Sequence, residues 1–174
     1  MKSPPPDILI ASRQRQVHYD HARLGALVQA SLPMCLEVAA KLGGPLIGLK
    51  RIECTVVGSR RMAQVHREFL NVRGPTDVLT FPYGEILVCA PVAKSRAKEF
   101  GHDATTELAL YCIHGLLHLA GHDDLDPCSA RKMAVEQARI LKAAGRAAWK
   151  SGENKEVRTG AINATGTLTC EESG

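Results

Sequence analysis

The amino-acid pattern predicts a single α+β domain: a mixed four-stranded sheet packed with about five helices, one of them central and carrying a metal site. Three observations predict it. Strand-like and helix-like segments follow in the order β, α, β, α, β, β, α, α, α. They interleave without strict βαβ alternation, so a mixed sheet with helices packed on it is the simplest solution. The 174 residues are one domain's worth of chain, and 45% are hydrophobic but only 4% aromatic, which implies an aliphatic core of Leu, Val, Ile and Ala.

Residues 1–6 hold three consecutive prolines and read as an extended lead-in. Asp7 to Ser12 reads as the first strand. Asp20 to Leu42 has helical spacing through Leu24, Leu27, Leu32, Cys35, Leu36 and Ala39. Pro33 interrupts it, which predicts a kink or a break into two helices. Gly43-Gly44-Pro45 ends the run. Leu49 to Val57 is a second strand, with Ile52, Cys54 and Val56 alternating with Arg51, Glu53 and Thr55 as in a half-buried strand.

Ser59 then serves as N-cap of a helix whose apolar stripe is Met62, Val65, His66 and Phe69. Arg60, Arg61 and Arg67 decorate its other side, as an ordinary solvated face or as forks for phosphate. Asn71 to Pro75 is a loop. Asp77 to Tyr83 and Glu85 to Ala90 are the last two strands, with Pro82 marking an edge or a bulge. Pro91 to Phe100 is a short helix closed by Gly101. Asp103 or Thr105 caps the next helix, which runs to about Ala120. Pro127 to Trp149 is a final amphipathic helix. From about residue 151 to 174 the chain is rich in Gly, Thr, Ser, Glu and Asn without periodicity, and reads as a disordered tail to a domain spanning 1–150.

Net charge is +4 with a pI near 8.8, mildly basic and compatible with a polyanionic partner. Six cysteines show no C-x2-C spacing, and several sit in apolar runs, as buried thiols of a reducing cytosol do. No span of 18 apolar residues is present, which points to a cytoplasmic protein with no membrane partner.

The informative stretch is His114-Gly-Leu-Leu-His118-Leu-Ala-Gly121-His122-Asp123-Asp124. With His114 set at about 0° around a helix, His118 falls near 40° and Glu107 near 20°, while the apolar residues spread over roughly 120° to 300°. Both imidazoles can thus reach one ion about 2 Å away. Gly121 offers the left-handed turn that ends a helix. Asp124 then stands ready as a third ligand, with His122 as its rival. Two nitrogens, one oxygen and an open fourth position describe a catalytic zinc site. The bland alternative is a pair of core histidines satisfied by backbone carbonyls.

The same stretch resembles the H-G-x-L-H-L-x-G-x-D-H signature of the YbeY family of bacterial metal-dependent endoribonucleases. Thr76-Asp-Val-Leu-Thr-Phe-Pro82 and Gly84-Glu-Ile-Leu-Val88 are similar to two further blocks of that family, in the same order. The resemblance covers roughly residues 7 to 145. It implies an α+β fold, one Zn²⁺ (or Ni²⁺ or another divalent metal), and cleavage of single-stranded regions of ribosomal RNA in maturation and ribosome quality control, with the ribosomal subunit or assembly factors as partners. By its spacing Asp124 stands where the family usually has a third histidine ligand. The family's functional arginine falls on Arg73 if the loop before Thr76 is shorter, with Arg67 a weaker candidate.

The expected site is therefore His114, His118 and Asp124 for the metal, with Arg73 offsetting charge on the phosphodiester and Glu107 as a substitute base. The base of an H-E-x-x-H peptidase is absent, since Gly115 occupies that position. The rival functions are a non-catalytic ribosome-assembly factor with a structural metal, and a metallopeptidase-like hydrolase.

Overall fold

The computed structural model describes residues 4–165, with side chains as far as Trp149. Four strands, β1 (Asp7–Arg13), β2 (Arg51–Val57), β3 (Val78–Thr80) and β4 (Glu85–Cys89), form one sheet in the order β1-β2-β4-β3. β1, β2 and β4 are parallel, and β3 pairs antiparallel with β4 at the edge. Five helices complete the fold: α1 (His21–Leu42), α2 (Ser59–Leu70), α3 (Ala90–Phe100), α4 (Ala104–Leu119) and α5 (Pro127–Thr165). This is the expected α+β architecture. No helix of the described residues is long and apolar enough to cross a membrane.

The larger core gathers Leu24, Val28, Leu32, Ile52, Cys54, Ile86, Leu108, Ile113, Leu116, Met133 and Ile140, from α1, α4 and α5 and the sheet. A smaller core of Val57, Met62, Val65, Leu79, Leu87 and Cys89 lies under α2. Two layers of helix explain why β2 does not alternate as its sequence suggests. Thr55 and Val57 face α2 and are buried along with Cys54 and Val56.

Other boundaries moved for local reasons. α1 runs unbroken through Pro33, because buried residues from Leu24 to Ala39 pin both halves to the core. Residues 45–48 form a short 3₁₀ turn, so β2 starts at Arg51. Gly58, not Ser59, is the N-cap of α2, and Ser59 is its first helical residue. β3 stops at Thr80 because Phe81 to Gly84 make the turn, closed by the Gly84 N–H donating to the Phe81 carbonyl at 2.9 Å.

The last helix continues to Thr165 rather than ending at Trp149. No proline follows Pro127 within it, and Lys, Glu and Arg are good helix formers. Residues 151–165 of the expected tail are thus helical, and 166–174 lie outside the described residues. Cys35, Cys54, Cys89 and Cys112 are buried free thiols and Cys128 is exposed; Cys170 lies outside the described residues. Burial, helped by the Glu136 charge, pushes the Cys35 thiol up to about 12, which keeps it protonated and unreactive.

A candidate metal centre at the end of α4

α4 is fixed at its start by polar contacts and along its length by the core. Asp103 is its N-cap and accepts from the Thr106 N–H at 3.0 Å. Arg23 of α1 donates to both Asp103 oxygens at 2.9 Å. Thr105 has a different task from capping: its hydroxyl accepts the Asp20 N–H at 3.0 Å, joining the starts of α1 and α4. Partial burial pushes the Asp103 carboxyl up, but Arg23 and the Thr106 N–H and hydroxyl outweigh it and hold it well below the usual carboxylate range.

A folded-state pKa below the unfolded one gives stability that is present above about pH 4 and lost as pH falls towards the folded value. Because this ion pair is about half exposed, the cap contributes more than the charge pair. Asp103→Ala is expected to cost about 1 kcal/mol at pH 7. In urea titrations the gap from wild type should narrow from pH 7 to pH 2, because below about pH 4 the unfolded wild-type chain takes up a proton while Arg23 and Thr106 still hold the folded carboxylate ionised. A gap that is the same at both pH values would contradict this account.

The other end of α4 turns in a Schellman motif. The Gly121 N–H donates to the His118 carbonyl and the His122 N–H to the Leu117 carbonyl, both at 3.0 Å, with Gly121 at φ +103°. Gly44, in the α1–β2 connection, lies flat against this turn. A methyl on Gly44 would stand 2.1 Å from the Ala120 carbonyl carbon and 2.4 Å from the Gly121 nitrogen. The turn that delivers Asp124 is therefore shaped by backbone packed against backbone.

Three donor atoms converge there. His114 Nε2 and His118 Nε2 are 3.0 Å apart, and Asp124 Oδ2 lies 3.7 Å from the first and 3.8 Å from the second. These three residues are the group found able to hold a metal among the described residues; His122 does not join it. Instead its backbone carbonyl faces His118 Nδ1 at 3.2 Å. A carbonyl can only accept, so His118 Nδ1 carries the proton.

His114 is oriented the same way by α5. The Gln137 Nε2 donates to the Leu110 carbonyl at 3.3 Å, which turns Gln137 Oε1 towards His114 Nδ1 at 3.1 Å. In neutral form, both rings then present Nε2 lone pairs to each other and to a carboxylate oxygen. Burial, and next the neighbouring His114, pull the His118 pKa down, which favours its neutral form. Two lone pairs at 3.0 Å repel unless a cation or a proton lies between them. A tetrahedral ion with bonds of about 2 Å would hold its donors about 3.3 Å apart, between the observed N–N and N–O separations. The residues fit a divalent cation.

Gln137 had no signal in the sequence, because nothing marks a glutamine 23 residues downstream as a partner of His114. Gln137→Ala is expected to weaken metal binding by about 10- to 100-fold with little change in melting temperature. Competition against a chelator at fixed pH checks it, and an unchanged affinity would remove Gln137 from the site.

The structure does not bring the other expected residues into the cluster. Glu107 shares the helical stripe but sits about 10 Å along the axis from His114, at 1.5 Å per residue. It is buried and paired with His102 Nε2, and its charge, after burial itself, pushes the Tyr111 hydroxyl up. A carboxylate so engaged is not a free base at the metal. Arg73 lies on the exposed 71–77 loop and lines a cleft of about 720 Å³ with Arg60, Ala63, Gln64, Arg67 and Gly74. Gly115 faces the sheet, where a methyl would meet Ile86 Cγ2 at 2.7 Å and Thr80 Oγ1 at 2.9 Å. There is no room for a peptidase glutamate at that position.

The family model described as Endoribonuclease YbeY matches residues 9–145. An Endoribonuclease YbeY of Sulfurimonas denitrificans is 36% identical over 122 residues, covering 66% of this chain and 86% of that protein. One of Frankia casuarinae is 29% identical over 154 residues, covering 77% and 72%. The solution structure of TM1509 from Thermotoga maritima superposes with a TM-score of 0.55 at 26% identity, over 83% of this chain and 93% of that one. The match takes in β1 from Leu9, the other three strands, the whole of α4 and all three converging donors, and this chain belongs to the YbeY endoribonuclease family.

Proposed function

We propose that this chain is a metal-dependent endoribonuclease of the cytoplasm that cuts single-stranded regions of ribosomal RNA during maturation and quality control. The single observation that carries this reading is the convergence of His114 Nε2, His118 Nε2 and Asp124 Oδ2 at one point on the surface. Family membership supports RNA as the substrate.

In this reading His114, His118 and Asp124 hold one Zn²⁺, with Ni²⁺ or another divalent ion as the alternative. When bound, the ion supplies Lewis acidity towards water and a phosphodiester oxygen. Gln137 and the His122 carbonyl keep the imidazoles aimed, so no reorganisation is needed as charge develops. Asp124 adds a negative charge that makes the site more selective for a cation and less acidifying than three neutral ligands would be. Arg73, with Arg67 as the less favoured candidate, offsets charge on the RNA phosphate from the exposed cleft. Glu107 takes no direct part, because its carboxylate is held by His102.

Metal analysis of the purified protein, paired with cleavage of a single-stranded RNA by wild type and Asp124→Ala, tests the reading. Cleavage that tracks metal content and falls in Asp124→Ala supports it. Cleavage that survives in a variant with no metal would make the ion structural, and metal-loaded protein that cuts no RNA would favour the non-catalytic assembly-factor alternative.

A further inference from the structure

We propose that Phe69, Phe81 and Tyr83 form a stacking platform for the bases of single-stranded RNA, reached from the arginine-lined cleft beside α2. The proposal rests on the endoribonuclease reading and gives it a base-contacting surface. The chain has only three Phe, three Tyr and one Trp, yet three of these rings gather on one surface. Phe81 and Tyr83 stack with centroids 5.5 Å apart and planes 24° apart. Phe69 meets Phe81 edge-on at 5.0 Å. The two outer rings are open to solvent, Phe69 at 63% and Tyr83 at 65% exposure. The Tyr83 hydroxyl donates to Glu85 at 2.9 Å, which fixes the ring by its edge and leaves a face free.

The neighbouring arginines say what covers these rings. Arg60 and Arg67 of α2 and Arg73 of the loop after it line the cleft, and Phe69 stands two residues beyond Arg67 in the last turn of the same helix. An extended polyanion crossing the end of α2 meets guanidinium groups first and flat apolar rings next. On the other side, Thr80 Oγ1 packs against Gly115, the residue beside His114, and Phe81 follows Thr80 directly. Thr80 faces α4 while Phe81 packs into the cluster under α2, so the rings lie on the face of the sheet edge that carries α2. A groove that holds phosphates, followed by rings on which bases stack, is how proteins grip single strands without reading sequence. A duplex, with its bases already stacked on each other, cannot use such a platform.

Fluorescence anisotropy on the full-length protein tests this, with two probes: a 2′-O-methyl oligoadenylate of about ten nucleotides and an equally long strand lacking bases. Tyr83→Ala should weaken binding of oligoadenylate about 5- to 100-fold, leave the baseless strand unaffected and leave the salt slope as it is. Tyr83→Phe should bind like wild type. Arg67→Ala should weaken both probes alike and lower the salt slope by about one. If Tyr83→Ala and Phe69→Ala bind both probes as wild type does, or weaken both equally, the platform is wrong while RNA cleavage by wild type still upholds the nuclease. If wild type neither binds nor cleaves single strands, both readings fall together.

Discussion

Removing the metal by chelation, or replacing His118 with alanine, is expected to lower cleavage of single-stranded RNA by about 10³-fold or more. A Lewis acid at a phosphodiester is worth several kcal/mol of barrier, and each 1.36 kcal/mol is about tenfold in rate. His118 supplies one of three donors, and its Nε2 stands 3.0 Å from His114 Nε2 and 3.8 Å from Asp124 Oδ2. Its loss leaves a bidentate site with one nitrogen and one oxygen. The imidazole is only partly buried, with 29% of its side chain exposed, so the fold should persist without it. Circular dichroism and melting temperature close to wild type, together with lost cleavage and lost metal, are the expected result. Activity should return to the chelated wild type on adding Zn²⁺ or Ni²⁺, but not to His118→Ala at the same concentration. Cleavage that persists while the melting temperature drops would reverse the assignment and make the metal a structural staple.

The second large effect is expected at a residue without any chemistry. Gly44→Ala should destabilise the protein by about 3 kcal/mol, the upper range for overpacking a tight contact. The added methyl would collide with the Ala120 carbonyl carbon and oxygen and the Gly121 nitrogen at 2.1 to 2.4 Å. All three are backbone atoms, so relief needs the Schellman turn itself to move. That turn carries Asp124, and metal affinity should therefore fall with stability. Gly43→Ala is the control. Its methyl would meet nothing within 4 Å, and only its φ of +76° is strained, at about 1 kcal/mol. Urea denaturation and chelator competition on the two variants should separate them. Equal losses in stability with no change in metal affinity would show that the turn is not held from Gly44.

How far the site could be read from the chain depends on which distances helix geometry fixes. His114 and His118 are four apart, and on any helix that places them side by side. Glu107 shows the limit of the same reasoning. A helical projection puts it on their stripe but discards height along the axis, and at seven residues away it finds His102 instead. Asp103 capped α4 as its side chain type suggests, whereas Ser59 did not cap α2, because Gly58 already had the extended conformation that begins the helix. β2 lost its alternation because α2 covers a face that the sequence alone leaves open.

The sequence by itself determined the order of strands and helices, the aliphatic core and the pair of imidazoles on one helix face. Each follows from interactions within a few residues: apolar periodicity, capping and helical pitch. Only the tertiary structure decided that Asp124 swings back to the histidines, that Gln137 and the His122 carbonyl set their tautomers, and that Gly44 shapes the turn between them. It also decided that three scattered aromatic rings meet on one surface. Gly44 and the Ala120–Gly121 turn, like Gln137 and His114, are far apart in the chain, and no local pattern encodes which distant group will press against which turn.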